Sequence, residues 1–250
     1  MKTVIFSHGD KGGVGKSVVA AAMVDFIAET RGDCTALDGD NKTPDMRNRF
    51  MNSSSVMVAH MQINQAGDAS NAVAQLGGII EDAGTDFVVV NLPSNAGDTL
   101  DSMGTMLQDV CGDIGVRMVI TYSLGEHAEA ADSLIESLAE NFLSVFDARD
   151  RMVLFPAFIG GLDKFAWYGR PEYKSYVGLQ GVFPVLEPKF VFADIIRHAG
   201  LFSEMVKNRP ADFTAYHKVA LRAWRGDVAK LLTPLLFPPR TDDGDEDDAA

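Results

Sequence analysis

The stretch running from Thr3 to Phe26, "TVIFSHGDKGGVGKSVVAAAMVDF", carries the reading of the fold. Its opening, "TVIFSH", is short, apolar and followed at once by glycines, the pattern of a strand buried in a parallel sheet. From Ser17 to Thr30 the apolar residues Val18, Val19, Ala22, Met23, Phe26 and Ile27 recur at helical spacing, and Arg31-Gly32 close the helix. A Gly-rich turn joins the two. Such a turn presents several backbone N–H groups, and the start of the helix adds its positive dipole end, so a phosphate finds both donors and field. Gly12, Gly13 and Gly15 let the backbone curl where a Cβ would interfere. Lys16 then offers a charge to β and γ phosphates, and Ser17 a hydroxyl to Mg²⁺. One feature departs from the usual G-x-x-x-x-G-K-[ST] pattern. Position 10 is Asp10 rather than glycine, and a second lysine, Lys11, follows it.

Outward from this loop, strand-like and helical patterns alternate. "CTALDGD" reads as a second strand with acids at its carboxyl end, "SVMVAHMQI" as a third, and residues 68–83 as a helix weakened by Gly77-Gly78. "DFVVVNLP" is a buried strand and "GVRMVITYS" another. Residues 126–146 keep a helical period through Ala130, Leu134, Leu138 and Phe142. "RMVLFPAFIG" and, more weakly, "GVFPVLEP" are strand-like, and helical patterns over 190–207 and 211–233 follow. Alternation of this kind predicts an α/β fold, a mostly parallel twisted sheet with helices on both faces. With no linker or repeat inside it, residues 1–240 read as one domain and 241–250 as a disordered acidic tail, set off by Pro238-Pro239.

Composition narrows the class. The chain of 250 residues is 46% hydrophobic and 23% charged, as expected of a soluble globular protein. Its longest apolar run, Val18 to Val24, is far too short for a membrane span, and the start does not read as a signal peptide. Cys34 and Cys111 lie far apart with no C-x-x-C partner, which fits a reducing cytoplasm and disfavours a cysteine-bound metal or iron–sulfur cluster. The net charge of −13 is unevenly spread. Residues 1–163 hold 10 basic and 23 acidic residues, residues 164–240 hold 12 and 6, and the last ten hold six acids and no base. The basic segment points to an anionic partner.

With these residues in view, "KGGVGKS" resembles the deviant phosphate loop of the ParA/MinD family of P-loop ATPases, K-G-G-x-G-K-[ST], over seven consecutive residues. The resemblance implies an ATP- and Mg²⁺-dependent ATPase working in the cytoplasm of a bacterium, with nucleoid association as one possibility, and closest to plasmid-type partition proteins. It implies that Gly12, Gly13, Val14, Gly15, Lys16, Ser17 and Val18 hold the nucleotide. It also implies a homodimer with nucleotide sandwiched between subunits, Lys11 reaching across to its partner's phosphates. "ALDGDNKTPD" resembles the family's D-x-D. Asp40 would then orient the attacking water or bind Mg²⁺ through water, with Asp38 supporting it, although two acids in a turn are equally a solvated pair. Asn41-Lys42 stand where typical chromosomal members continue with proline and glutamine.

The main departure is Asn91 in "DFVVVNLPSNAG", where the family's Walker B strand ends in aspartate. An amide accepts a hydrogen bond from a metal-bound water but neutralises no charge. The expectation is slow turnover with ATP binding kept, and a higher rate on Asn91→Asp. Asp86 sits at the wrong end of that strand to substitute, and residues 93–98 resemble a second switch able to sense the γ-phosphate. "VFPVLEPKFVFADIIRHAG" resembles the family segment bordering adenine, which makes Glu187, Pro188 and Phe190 candidates there, with ordinary turn and core packing as the alternative. Lys218, Arg222 and Arg225, spaced i, i+4, i+7, share a helix face that would bind DNA phosphates nonspecifically; a solvated face is the plain alternative. In the insertion at 163–178, Trp167, Tyr168, Tyr173 and Tyr176 alternate with Lys164, Arg170 and Lys174, which suits either a binding surface or a loop packed down on itself.

The leading expectation is an ATP-dependent dimerisation switch in DNA partition or positioning, working with a cognate adaptor protein. A MinD-like membrane factor is disfavoured, since no basic amphipathic helix ends the chain and no stable membrane anchor is expected. A regulator that binds ATP with little hydrolysis is kept open by Asn91. The absence of G-x-G-x-x-G spacing counts against a dehydrogenase-type dinucleotide site.

Overall fold

The computed structural model describes residues 1–9, 11–39, 44–61, 63, 69–94 and 96–239. Asp10, Asp40 and the tail at 241–250 lie outside them. Seven strands form one sheet: β1 (Thr3–Gly9), β2 (Cys34–Asp38), β3 (Val56–His60), β4 (Phe87–Asn91), β5 (Arg117–Ser123), β6 (Arg151–Pro156) and β7 (Leu179–Phe183). Every pairing is parallel, in the spatial order β3-β2-β4-β1-β5-β6-β7. The first strand is therefore central, with neighbours on both sides, and all seven of its residues are buried. This explains its unbroken apolar run, because helices cover both faces.

Alternation along β1 divides the core. Ile5 packs with the inward face of α1 (Lys16–Arg31), and with α2 (Asp45–Phe50), α7 (Lys189–Arg197), α8 (Phe202–Lys207) and α9 (Ala215–Leu236). Val4 and Phe6 point the other way, onto α3 (Ala69–Asp82), α4 (Gly97–Asp113) and α5 (Ala128–Ala139). Cys34 falls in the first cluster and Cys111 in the second, both buried as thiols.

The structure departs from the sequence pattern in several places: α2 was not anticipated, and β7 ends at Phe183, so the second half of the strand-like "GVFPVLEP" lies beyond the strand. The helix α4 was not anticipated, because Gly97, Gly104 and Gly112 and four aspartates dilute its stripe. Its buried Leu100, Met103, Leu107 and Cys111 nevertheless keep the 3–4 spacing that would have revealed it. The long period over 126–146 is two elements: α5 stops at Ala139 and a 3₁₀ turn, Phe142–Val145, follows, its first N–H held by the Asp101 carboxylate at 3.0 Å. The pattern over 190–207 breaks into α7, which ends at Arg197 with His198 already extended, and α8, with Gly200 at a φ of +95° in the link between them.

The insertion folds down onto the sheet. Trp167 is buried, donates its indole N–H to Gln180 Oε1 at 3.1 Å, and meets Tyr173 and Tyr176 edge-on. Phe165 packs against Phe155 of β6, and the short α6 (Pro171–Ser175) completes the flap. Most of its aromatic residues serve packing, and Tyr168 keeps an exposed face.

Candidate nucleotide site

Strand β1 ends at Gly9 and α1 begins at Lys16, so the Gly-rich loop sits at the carboxyl edge of the sheet, where parallel α/β folds bind ligands. Gly13 and Gly15 adopt φ of +85° and +91°, values that side chains with a Cβ rarely take. Gly15 caps α1 with no side-chain hydrogen bond to the helix start, so the field at that terminus is directed outward. Lys16 is largely buried and folds back over the loop, its ammonium donating to the Lys11 carbonyl at 2.5 Å. Ser7 of β1 donates its hydroxyl to the Lys16 carbonyl at 2.9 Å, fixing the first turn of the helix to the strand. Lys11 itself is exposed. The two lysines thus differ: one is packed over the loop and the other reaches out.

Beneath the loop, His8 is buried between Tyr122 and Phe142, edge-on to both. Burial, and then the charge of Lys16, push its pKa down to about 3, so it is neutral and adds no charge to the site.

At the next strands, register sets the polar centre. Asp38 ends β2 and Asn91 ends β4 directly beside it. The Asn91 amide N–H₂ donates to Asp38 Oδ1 at 3.2 Å and approaches Ser17 Oγ at 3.4 Å. The other carboxylate oxygen of Asp38 accepts the backbone N–H groups of Met46 and Arg47, at 2.8 and 3.3 Å, and so anchors the start of α2. Burial raises the Asp38 pKa, opposed by Asn91 and those two N–H groups. Asn91 Oδ1 is buried without a hydrogen-bond partner. A magnesium ion with its waters fits this donor set: Ser17 offers a hydroxyl, Asn91 an unused acceptor, and Asp38 a charge.

Beside the loop opens a cleft of about 670 Å³. Gly12–Val18 and Asn91–Ser94 form its phosphate end, and Pro156–Phe158, Phe183–Glu187, Lys189, Phe192 and Trp224 its apolar end. Phe158 is half exposed and overhangs the loop, its ring 3.3 Å from where a Cβ on Gly15 would stand. Trp224 of α9 donates its indole N–H to the Pro184 carbonyl at 2.9 Å and so holds the wall after β7 in place. Of the adenine-loop candidates, Glu187 lies on the wall; Pro188 caps α7 behind it, and Phe190 points to solvent against His217. Phe158, Phe192 and Trp224 were not anticipated. They come from three separate segments, and only the apolar run after β6 hinted at the first.

On α9, Arg222 is exposed and Lys218 half-buried, whereas Arg225 is committed to partners on α1. Its guanidinium bonds Asp25 Oδ2 of α1 at 2.6 Å and Glu29 Oε2 at 2.5 Å. Asp25 Oδ1 in turn accepts the Ser203 N–H of α8 at 2.7 Å. Burial alone would lower the Arg225 pKa, but the two carboxylates outweigh it and raise it; burial raises the Asp25 pKa, opposed by Arg225 and the Ser203 N–H. Arg225 is thereby committed to the interior, and the stripe reduces to Lys218 and Arg222.

A seven-stranded parallel sheet whose central first strand runs through K-G-G-V-G-K-S into a helix is the arrangement of a phosphate-binding α/β fold, and its two-lysine loop is similar to that of ParA/MinD ATPases. No family model matches the chain. It is 21% identical to Protein MobD of Acidithiobacillus ferrooxidans over 235 residues, covering 92% of this chain and 96% of that one. Among solved structures it is similar to a ParA family ATPase from Chlorobium tepidum, with TM-score 0.49, 11% identity, and 90% and 97% of the two chains covered. It is also similar to the septum site-determining protein MinD of Pyrococcus horikoshii in complex with Mg-ADP, with TM-score 0.48, 13% identity, and 92% and 96% covered. Among the described residues, no helix is long and apolar enough to cross a membrane.

Proposed function

We propose that the chain is an ATP-binding switch that dimerises on nucleotide and hydrolyses it slowly, serving partition or positioning of DNA. The observation that carries this reading is the unequal pair of loop lysines. Lys16 is packed over the loop at the start of α1, where it meets phosphates of its own nucleotide, while Lys11 is exposed and free to meet those of a second subunit. The cleft beside them provides an apolar wall for a base. Ser17, with water held by Asp38 and Asn91, would carry Mg²⁺, which supplies charge neutralisation at the β and γ phosphates. Asp40 is retained as the residue that orients the attacking water.

Lys218 and Arg222 on α9, doubled in a dimer, suit nonspecific DNA phosphate contacts. A cognate adaptor protein would stimulate turnover, and a bacterial cytoplasm is the setting in which these parts work together.

A second reading, a regulator that holds ATP and recruits partners with little hydrolysis, is favoured by one observation. The Walker B position carries an amide whose N–H₂ faces the loop serine. ATP turnover with Mg²⁺, with and without double-stranded DNA and with Lys16→Ala as blank, separates the two. Turnover above the blank and raised by DNA is expected. Turnover at the blank level, in a protein that binds ATP and dimerises with it, selects the regulator.

A further inference from the structure

We infer that the carboxylate this site needs for its divalent cation has moved one strand sideways. Asp38 on β2 supplies the charge, and Asn91 on β4 is the positioning residue that hands it to Ser17. The inference rests on the nucleotide-binding reading and goes beyond it in naming the residue that carries the charge.

The two residues are register partners on adjacent parallel strands, so their side chains emerge at the same level of the carboxyl edge. Asp38 is fully buried and divides its two oxygens between two jobs. Oδ2 holds the first N–H groups of α2, and Oδ1 is turned to Asn91. The amide has one N–H₂ pole and one oxygen pole. Its N–H₂ pole faces both Asp38 Oδ1 and Ser17 Oγ, leaving the oxygen pole buried and unpaired. Turning the amide over would set its oxygen 3.2 Å from a carboxylate oxygen, an arrangement without a hydrogen. Asp38 therefore dictates the orientation of Asn91. An amide adds no negative charge beside a cation, whereas a buried carboxylate does so with little screening. Asn91 thus links the charge on β2 to the serine on α1.

This pairing has a property that a helix-anchoring aspartate lacks: it is reciprocal. Exchanging the residues, Asp38→Asn with Asn91→Asp, keeps one carboxylate, one amide and the hydrogen bond between them, with donor and acceptor reversed. Asp38→Asn alone keeps an oxygen to accept from Met46 and Arg47 but turns an N–H₂ toward the N–H₂ of Asn91, so it removes the charge and the hydrogen bond together, and only the exchanged pair restores both.

The test is Mn²⁺ binding to the protein–ADP complex, followed by the paramagnetic resonance signal of free Mn²⁺. ADP affinity in EDTA and the thermal midpoint are measured alongside. Asp38→Asn is expected to weaken Mn²⁺ at least about tenfold, the scale of a lost supporting carboxylate, while ADP in EDTA is bound no more weakly than by the wild type, since a negative charge has been taken away from beside the phosphates. The exchanged pair is expected to bring Mn²⁺ affinity back to within about threefold of the wild type. Mn²⁺ affinity unchanged in Asp38→Asn, or a folded exchanged pair that does not recover it, overturns the assignment. Should Asp38→Asn fail to fold, the exchanged pair alone decides: wild-type Mn²⁺ affinity sustains the proposal and its loss overturns it. A wild type that binds ADP but takes up no Mn²⁺ also overturns it, leaving nucleotide binding standing. Failure of the wild type to bind ADP with or without metal instead overturns the nucleotide reading.

Discussion

The two ends of the cleft are built by different means. The end proposed for phosphate is a run of consecutive residues, Gly12 to Val18, at a backbone bend and a helix terminus, with polar groups at Ser17, Asp38 and Asn91 behind it. The apolar end is assembled from Phe158, the wall after β7, Phe192 and Trp224, which lie far apart in the chain and meet only in the fold. The first end offers charge and donors, and the second offers surface. On the proposed reading, the first would select for phosphate whatever is attached to it, and the second for a flat apolar group.

Four experiments break or sharpen that distinction. The largest effect is expected where the ends are tied together. Arg225→Ala leaves the buried Asp25 carboxylate without its cation and should cost about 3–5 kcal/mol of unfolding free energy by denaturant titration. A loss under about 1 kcal/mol would mean that α9 and α1 are held by apolar packing alone. Next, Lys16→Ala should weaken ADP about 100-fold while leaving adenosine within about twofold, since only a charge-assisted contact to phosphate is removed. Equal losses for both would show that the ends do not act separately.

Acid should then act through the sheet beneath the loop. Because His8 is held neutral with a pKa of about 3, its contribution is complete above the unfolded value near 6.5 and is lost as pH falls from there toward 3. Between pH 6.5 and 5 this amounts to about 2 kcal/mol of stability, at about 1.4 kcal/mol per unit. His8→Phe, which keeps a ring between Tyr122 and Phe142, should flatten that part of the curve relative to the wild type. An unchanged slope would assign the acid sensitivity elsewhere. The smallest effect belongs to the apolar end. Phe158→Ala should weaken ADP and adenosine alike by about 1–2 kcal/mol, the worth of one base–aromatic contact. A loss confined to ADP would place Phe158 over the phosphates instead.

What could be read from the sequence follows the same division. Lys11 to Ser17 are contiguous, and each residue type has a separate reason to be there, so the loop, its strand and its helix were legible together. The sheet was legible wherever a strand is buried on both faces, because Val4-Ile5-Phe6 and Val88-Val89-Val90 admit no other reading at that length. The apolar wall was not, since nothing local distinguishes Phe158 or Phe192 from core residues. The fate of Arg225 was hidden too. At i, i+4, i+7 it belongs to a surface stripe with Lys218 and Arg222, and only the packing of α9 against α1 shows that its partners are Asp25 and Glu29. The hydrogen bond between Asp38 and Asn91 spans 53 positions and depends on β2 lying beside β4. No spacing within the chain announces it.

Trp224 and Arg225 are neighbours on α9, and they grip different things. The indole holds the Pro184 carbonyl of the base wall, and the guanidinium holds α1, the helix that begins at the phosphate loop. Consecutive residues stand about 100° apart around a helix, so α9 works as a clasp with two hooks set at an angle. A twist that eases one hook tightens the other. One helix turn thus joins the wall after β7 to the helix that begins at the phosphate loop, so a change that shifts α9 reaches both sides of the cleft.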